Sequence, residues 1–171
     1  QGDAMLLVHP GAFLTFSLYT SSKTCLHFLE MLAFVIFCCR SMSRRIATLK
    51  RLAGLQGNDK ARADACYRLA AAYGTGDGVK KDGKEEVKWL IKASELGHVE
   101  AQYKLGVCYS NAWGVSQSYE KAFEWHQKAA KQGHAEAQHS LGVCYNKGEG
   151  VLQSHKKAFE WWQKAADQGH V

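Results

Sequence analysis

Six cysteines, eight histidines and 16 acidic residues are the side chains of this 171-residue chain that could form disulfides, bind metal or carry protons. Cys108 and Cys144 recur 36 residues apart, as do His98, His134 and His170. Zinc ligands are usually paired about two to five residues apart, so neither set has the spacing of a metal site. No G-x-S-x-G, phosphate-loop or H-E-x2-H pattern occurs either. The sequence therefore predicts no catalytic, cofactor-binding or metal-binding residues.

The recurring histidines belong to a longer internal repeat. Residues 97–132 and 133–168 are identical at 24 of 36 aligned positions, and a weaker copy occupies residues 61–96. Repeats with a period of this size stack side by side, because one unit cannot bury its own apolar residues. The sequence therefore predicts a solenoid of about three repeats, with the start of a fourth at its end.

Each copy has the pattern of two amphipathic helices. In the second copy, Ala101, Leu105 and Cys108 share one face of a first helix (helix A), and Ala122 and Trp125 share one face of a second (helix B). Glycines in the connector and after helix B allow the chain to reverse direction. The repeating unit is therefore predicted to be a helix hairpin.

The repeat also predicts how the helices pack. Gly106 and Gly142 follow the core leucines, which favours a close contact between helix A and the alanine face of helix B. Trp125 and Trp161 are expected to supply buried area. Equivalent stacked helices lie roughly 8–10 Å apart, too far for a disulfide. The repeat cysteines are therefore expected to be free and buried, and the repeat histidines to cap or pack at the boundaries between copies.

The repeat motif resembles that of a known family. It reads A-x3-L-G-x2-Y, then G-V, then K-A-x2-W-x2-K-A-A and a closing glycine, between Ala101 and Gly133. This is similar to the Sel-1-like repeat, a relative of the tetratricopeptide repeat. The resemblance implies an all-α fold: a right-handed α-solenoid of stacked antiparallel helix hairpins, a superhelix like that of tetratricopeptide repeats. It also implies a protein-binding adaptor or scaffold.

Charge and cysteine content bear on the alternatives. Residues 57–171 carry 16 basic and 14 acidic residues, so no extended basic groove for nucleic acid is expected. An alternative function is that of a hydrolase, as in the cysteine-rich members of the family. Those members pair cysteines within each repeat, whereas each strong copy here has one cysteine. The expected partner is a protein or peptide, with no cofactor and no small-molecule substrate.

The positions at which the two strong copies differ are candidates for partner binding. Buried positions repeat because each layer solves the same packing problem, whereas partner-facing positions are free to change. By resemblance, the side of helix A away from Leu105 is the concave face. The predicted partner-binding residues are Tyr67, Tyr103, Asn111, Trp113, His139, Asn146 and Lys147. The alternative is that these are unconstrained surface positions.

The first third of the chain does not repeat. We divide the chain into an apolar extension (1–41), a helix or linker (42–60) and a repeat domain (61–171). The apolar run 25–39 has three interpretations: sequence upstream of a natural start at Met42, a membrane or signal segment, or a helix that packs on the first repeat. Free thiols favour a cytoplasmic location. A real membrane segment would instead place the protein at the endoplasmic reticulum membrane or lumen, as an adaptor of a ubiquitin ligase complex in protein degradation.

Overall fold

The computed structural model describes residues 6–9, 12–14, 44–54 and 57–169. The chain divides into two units, Gln1–Arg40 and Ser41–Val171. In the first unit, strands β1 (Leu6–His9) and β2 (Ala12–Leu14) pair antiparallel, with Leu6 opposite Leu14. The apolar run 25–39 lies outside the described residues, so its three interpretations remain open.

Helices are the regular secondary structure of the described part of the second unit. A first helix (α1) covers residues 44–53. Six more follow in chain order, with these bounds: α2 Asp59–Thr75, α3 Gly83–Glu95, α4 Val99–Ser110, α5 Tyr119–Lys131, α6 Ala135–Lys147 and α7 His155–Ala166. None of the helices described is long and apolar enough to cross a bilayer.

The six helices α2–α7 form three hairpins that pack in a row. Helices α2 and α3, α4 and α5, and α6 and α7 pack in pairs, while α3 packs on α4 and α5 packs on α6. We call these pairs the first, second and third hairpins. Helices α2, α4 and α6 are the A helices and α3, α5 and α7 the B helices. The prediction of an all-α repeat fold is confirmed.

Small side chains and leucines form the core of the row. Leu69, Leu105 and Leu141 occupy the same position in the three A helices and are 0% exposed. Alanines cover most of the buried face of the B helices, among them Ala93 and Ala129. Because alanine and leucine have little side-chain entropy to lose and favour the helix, this composition suits a thin layer of closely packed helices.

The repeat tryptophans are less buried than expected. Trp125 and Trp161 are half-buried at the edge of the hairpins rather than inside them. The ammonium groups of Lys128 and Lys164 lie over their outer faces, 3.8 and 4.2 Å from the ring centroids. Each lysine follows its tryptophan by three residues on the same helix, where it can reach the ring. The two rings therefore pack against the core and supply part of the buried area expected of them.

The contact at the helix A glycines also differs from the expectation. A Cβ on Gly106 would lie 2.6 Å from two atoms of the His126 ring, and one on Gly142 would overlap the Trp162 indole. The neighbour of each glycine is therefore a large side chain of helix B, not its alanine face. In the first hairpin the equivalent pair is Ala70 and Leu90, both buried. The helix A residue is thus smaller, glycine instead of alanine, where its helix B partner is larger.

Candidate interaction surface

Each A helix carries a stripe of residues that are not buried, on the side away from the core leucine. The stripes follow a spacing of three or four residues, which keeps them on one side of the helix. Together they form what we call the A-helix face: Tyr67, Ala71, Gly74 and Thr75; Tyr103, Val107, Ser110 and Asn111; His139, Val143, Asn146 and Lys147. Six of the seven predicted binding residues lie on it. The seventh, Trp113, lies in a connector.

Tyr67 and Tyr103 stack on histidines of the following hairpin. The Tyr67 ring lies 4.4 Å from the His98 ring at an interplanar angle of 21°, and the Tyr103 ring lies 4.8 Å from His134 at 29°. Both tyrosines are half-buried, and burial raises the pKa of the Tyr103 hydroxyl. The stacks fix the two rings in place, so each presents a rigid edge to the A-helix face.

The stacked histidines also begin the A helices, as the sequence indicated. Nδ1 of His98 accepts from the backbone N–H of Ala101, and Nδ1 of His134 accepts from that of Ala137, both at 3.2 Å. A side-chain acceptor here satisfies one of the N–H groups that a helix start leaves unpaired. The expectation that these histidines cap helices at the boundaries between copies is confirmed.

Each capping histidine is further held by a carboxylate of the preceding A helix. Because Nδ1 accepts, Nε2 carries the proton, and Nε2 of His134 donates to Glu100 at 2.9 Å. The His98 Nε2 atom lies 3.5 Å from Asp64. Burial lowers the pKa of His98, although Asp64 acts in the opposite direction. At each boundary one imidazole thus contacts a tyrosine ring and a carboxylate of the preceding A helix and caps the start of the next A helix.

His139 occupies the position of Tyr67 and Tyr103 in the third hairpin and is exposed. Its backbone carbonyl accepts from the Trp162 indole N–H at 3.2 Å, and its ring lies 6.4 Å from the Trp162 ring, tilted by 34°. The repeat histidine that would follow it, His170, lies outside the described residues. The third hairpin therefore presents an imidazole where the first two present a phenol.

Three polar residues among the predicted binding residues, Asn111, Asn146 and Lys147, lie at the ends of the A helices. Asn111 is exposed at the end of α4, and its N–H donates to the Val107 carbonyl. Asn146 Oδ1 lies 2.9 Å from His155 Nδ1, a contact that joins the end of α6 to the start of α7. Lys147 is exposed and pairs with Glu149 at 3.6 Å. Asn111 and Lys147 point to solvent, whereas Asn146 also holds its own hairpin together.

Trp113 joins two hairpins. It is 50% exposed and lies in the connector of the second hairpin, against Gly83 at the start of α3. The Lys81 ammonium lies 5.8 Å from the centroid of its ring. Trp113 is thus separate from the A-helix face and partly covers the first hairpin.

Two buried glutamines, which the sequence reasoning missed, link successive hairpins. Gln102 donates to the Ser94 carbonyl at 3.1 Å and accepts from Gln132 at 2.7 Å. The third hairpin repeats the arrangement with Gln138 and Gln168. In the first hairpin the positions equivalent to Gln102 and Gln132 carry Cys66 and Leu96, so both partners are replaced together by apolar residues. That joint change was the available sequence signal.

The glutamine pair gives a testable coupling. Gln132→Leu removes a donor to the buried Gln102 and is expected to lower the free energy of unfolding by about 1–2 kcal/mol. The double variant Gln102→Cys/Gln132→Leu reproduces the first hairpin and is expected to cost less than the sum of the single changes, by about 1 kcal/mol. Urea unfolding of all four proteins measures the coupling. Additive losses would show that the two side chains act independently.

Three cysteines in the described part of the chain are free and buried: Cys66, Cys108 and Cys144. Burial raises the pKa of Cys108 and Cys144 to about 11, so these thiols are protonated and unreactive at neutral pH. Across residues 44–54 and 57–169 no three His, Cys, Asp or Glu residues are arranged to hold a metal ion.

Successive hairpins joined by capping histidines and by the buried glutamines Gln102 and Gln138 define a helical repeat protein. The sequence model of the Sel1 repeat matches three segments, residues 63–98, 99–134 and 135–170. The chain belongs to the Sel1 repeat family. Proteins of this family are generally non-catalytic scaffolds that bind other proteins.

Solved structures resemble the chain over most of its length. A Sel1 repeat protein from Oxalobacter formigenes is 36% identical, with a TM-score of 0.65, over 74% of this chain and 91% of that one. A protective antigen of uropathogenic Escherichia coli with an SLR fold is 37% identical, with a TM-score of 0.62, over 64% of this chain and 24% of the antigen. The chain therefore spans about a quarter of that antigen.

A third structure shares the fold alone. Cysteine-rich protein B of Helicobacter pylori is 24% identical, with a TM-score of 0.54, over 63% of this chain and 82% of that one. No protein with a curated function matches the chain significantly.

Proposed function

We propose that this protein is a scaffold without catalytic activity, which binds a protein or peptide along the A-helix face. The observation that carries the proposal is the contrast between the two faces of the A helices. Their buried positions repeat between the second and third hairpins, while equivalent positions on the A-helix face carry unlike side chains, such as Tyr103 and His139 or Asn111 and Lys147. A fixed backbone that presents unlike groups at a regular spacing suits the recognition of an extended partner.

The stacked tyrosines support this proposal energetically. Aromatic residues contribute strongly to protein interfaces, and binding is weakened by the entropy lost when a mobile side chain is fixed. The rings of Tyr67 and Tyr103 are already held by His98 and His134, so little of that entropy is lost on binding. Around them, Asn111 and Lys147 supply polar groups that are exposed to a partner.

Photo-crosslinking in the cells that produce the protein tests the location of the site. A photoreactive phenylalanine at the exposed positions Ala71 and Asn111 is expected to capture one common partner. The same residue at Glu124 or Glu160, exposed positions on α5 and α7, serves as a matched control and is expected not to capture it. Capture from the B helices but not from the A-helix face would contradict the proposal.

Substitution then measures the contribution of single side chains. His139→Ala combined with Lys147→Ala is expected to weaken the captured partner's binding about tenfold, which corresponds to ~1.4 kcal/mol. Both side chains are exposed and their contacts with Trp162 and Glu149 lie at the surface, so the melting temperature is expected to fall by no more than about 4 °C. Tyr103→Ala is a poorer probe, because it also removes the stack on His134. Unchanged affinity in the double variant would exclude these two residues from the interface.

We further propose that the protein works in the cytoplasm. The buried free thiols of Cys66, Cys108 and Cys144 support a reducing compartment, since proteins of oxidising compartments tend to use their cysteines in disulfides. Fractionation of cells that produce the protein tests this, and recovery with membranes or within the secretory pathway would contradict it.

A further inference from the structure

Glu86 breaks the repeat at a position that is otherwise occupied by alanine. It is the fourth residue of α3, and its equivalents in α5 and α7 are Ala122 and Ala158, which are 1% and 0% exposed. The first hairpin therefore places a carboxylate where the other two place the smallest apolar side chain, at a close contact between helices A and B.

The carboxylate of Glu86 reaches the A-helix face through a gap at Gly74. A Cβ on Gly74 would lie 2.5 Å from Oε1 of Glu86, so the carboxylate occupies the space that a side chain at position 74 would otherwise enter. The residues equivalent to Gly74 are Ser110 and Asn146. Thus glutamate in helix B and glycine in helix A occur together in the first hairpin, and alanine occurs with a larger residue in the others.

Helix α4 forms the other side of the site. The negative charge of Glu86 contributes, after burial, to the raised pKa of Cys108, and the positive charge of Lys104 acts on Glu86. Both Cys108 and Lys104 belong to α4, whereas Gly74 belongs to α2. Because α3 packs on both α2 and α4, the carboxylate lies beside Gly74 of α2 and close to α4.

Oε2 of Glu86 is buried and accepts no hydrogen bond from the described residues. The two lysines whose charges act on Glu86, Lys104 and Lys81, also contact other groups. The Lys104 ammonium lies 5.0 Å from the centroid of the Tyr67 ring and 4.0 Å from Glu100, and the Lys81 ammonium lies 5.8 Å from the centroid of the Trp113 ring. Burial raises the pKa of Glu86, as expected for a carboxylate that loses water without gaining a close partner. Buried polar groups are almost always paired, and alanine at this position would avoid the cost altogether.

Residues that break the pattern of a fold at a cost in stability are found mainly at functional sites. We propose that Glu86 is the anchor for a basic group of the partner, an ammonium or guanidinium that binds beside Gly74 on the A-helix face. This inference rests on the proposed function and adds the chemistry of one contact. A carboxylate offers only acceptors, and a cationic N–H donor forms the strongest hydrogen bond to it. An acidic partner group would be repelled.

The probe is a small basic compound. N-Acetyl-arginine amide is titrated into ¹⁵N-labelled protein and followed by NMR, with N-acetyl-citrulline amide as its uncharged counterpart. Saturable shifts are expected at the backbone amides of Gly74, Glu86 and Cys108 with the arginine compound and not with the citrulline compound. Glu86→Ala is expected to weaken this binding at least fivefold. Glu124→Ala, which removes an exposed carboxylate from α5, is the matched control and is expected to bind as the parent does.

The stability of the variant separates loss of the site from loss of the fold. Glu86→Ala introduces the residue that the second and third hairpins have at this position and removes a buried oxygen without a hydrogen-bond partner, so its melting temperature is expected to be equal to or above that of the parent. Lower affinity together with unchanged or higher stability supports the inference. Equal binding by Glu86→Ala, or shifts spread over exposed carboxylates, would overturn it. So would amides of Gly74 and Cys108 that do not move, the result expected if an ordered water molecule fills the site.

The failure of this inference and of the proposed function can be told apart. If cross-links from Ala71 and Asn111 capture a partner that binds Glu86→Ala and the parent equally, the proposed function stands and the basic anchor is overturned. If no partner is captured there although arginine binding depends on Glu86, the basic-group site stands alone and the proposed function is contradicted.

Discussion

Gly114→Ala is expected to lower the free energy of unfolding by about 3 kcal/mol and the melting temperature by roughly 15 °C. Gly114 has a φ of +69°, and a Cβ at this position would overlap the carbonyl oxygen of Gly83 in the preceding hairpin. The overlap is with backbone, so no side-chain rotation can relieve it and the connector or α3 has to move. Thermal and urea unfolding measure the loss.

Gly133→Ala is the matched control for the backbone conformation. Gly133 has a φ of +89°, but a Cβ there would meet nothing within 4 Å. Its substitution is therefore expected to cost only the strain of a left-handed conformation, about 1 kcal/mol. Among the described residues, Ala112 already has such a conformation without being glycine, with a φ of 57°. Equal losses at Gly114 and Gly133 would show that the contact between hairpins contributes nothing.

The comparison of these glycines shows what the sequence could and could not predict. The period of 36 residues and the connector glycines were enough to predict the hairpins, because the two helices of a hairpin and the turn between them are close together in the chain. The glycines at positions 114 and 133 looked alike in the sequence. Only the fold shows that one touches the backbone of the neighbouring hairpin and the other faces open space.

The candidate site was predictable in outline and not in its contacts. The spacing placed Tyr67, Tyr103 and His139 on one side of the A helices, and they are not buried there. The stacks on His98 and His134 join residues 31 positions apart in the sequence, and helix periodicity carries no information about such pairs. The sequence alone does not single out Glu86, because a glutamate in place of alanine and a glycine in place of serine or asparagine are each ordinary changes. Only the contact between Glu86 and Gly74 shows that the two changes belong together.

Acid is expected to destabilise this fold chiefly through His126. Its side chain is 3% exposed and packs against Gly106, and its Nδ1 is buried without a hydrogen-bond partner among the described residues. Tyr103 lies beside it, at 5.7 Å between ring centroids. Burial, with a smaller contribution from His134, lowers the pKa of His126 from 6.5 to about 4. The folded state therefore holds this imidazole neutral at pH values where the unfolded chain binds a proton.

The direction of the effect follows from that difference in proton binding. Above pH 6.5 both states are neutral at this residue and the fold has its full stability. As the pH falls from 6.5 to about 4, the unfolded state takes up a proton that the folded state does not, and stability is lost. A difference of this size corresponds to about 3 kcal/mol over that range. Urea unfolding at a series of pH values measures the loss.

His126→Leu isolates the contribution of this one residue. The equivalent residue of the first hairpin is Leu90, which is buried at 1% exposure, so leucine suits this position in the repeat. At pH 7.5 the variant is expected to be about 1 kcal/mol more stable, because it removes a buried nitrogen without a partner. Its advantage is expected to grow to about 4 kcal/mol near pH 4. His98, whose pKa is also lowered by burial, is present in both proteins, so its contribution cancels. Parallel stability curves for the parent and His126→Leu would show that His126 accepts a proton as readily in the folded protein as in the unfolded chain.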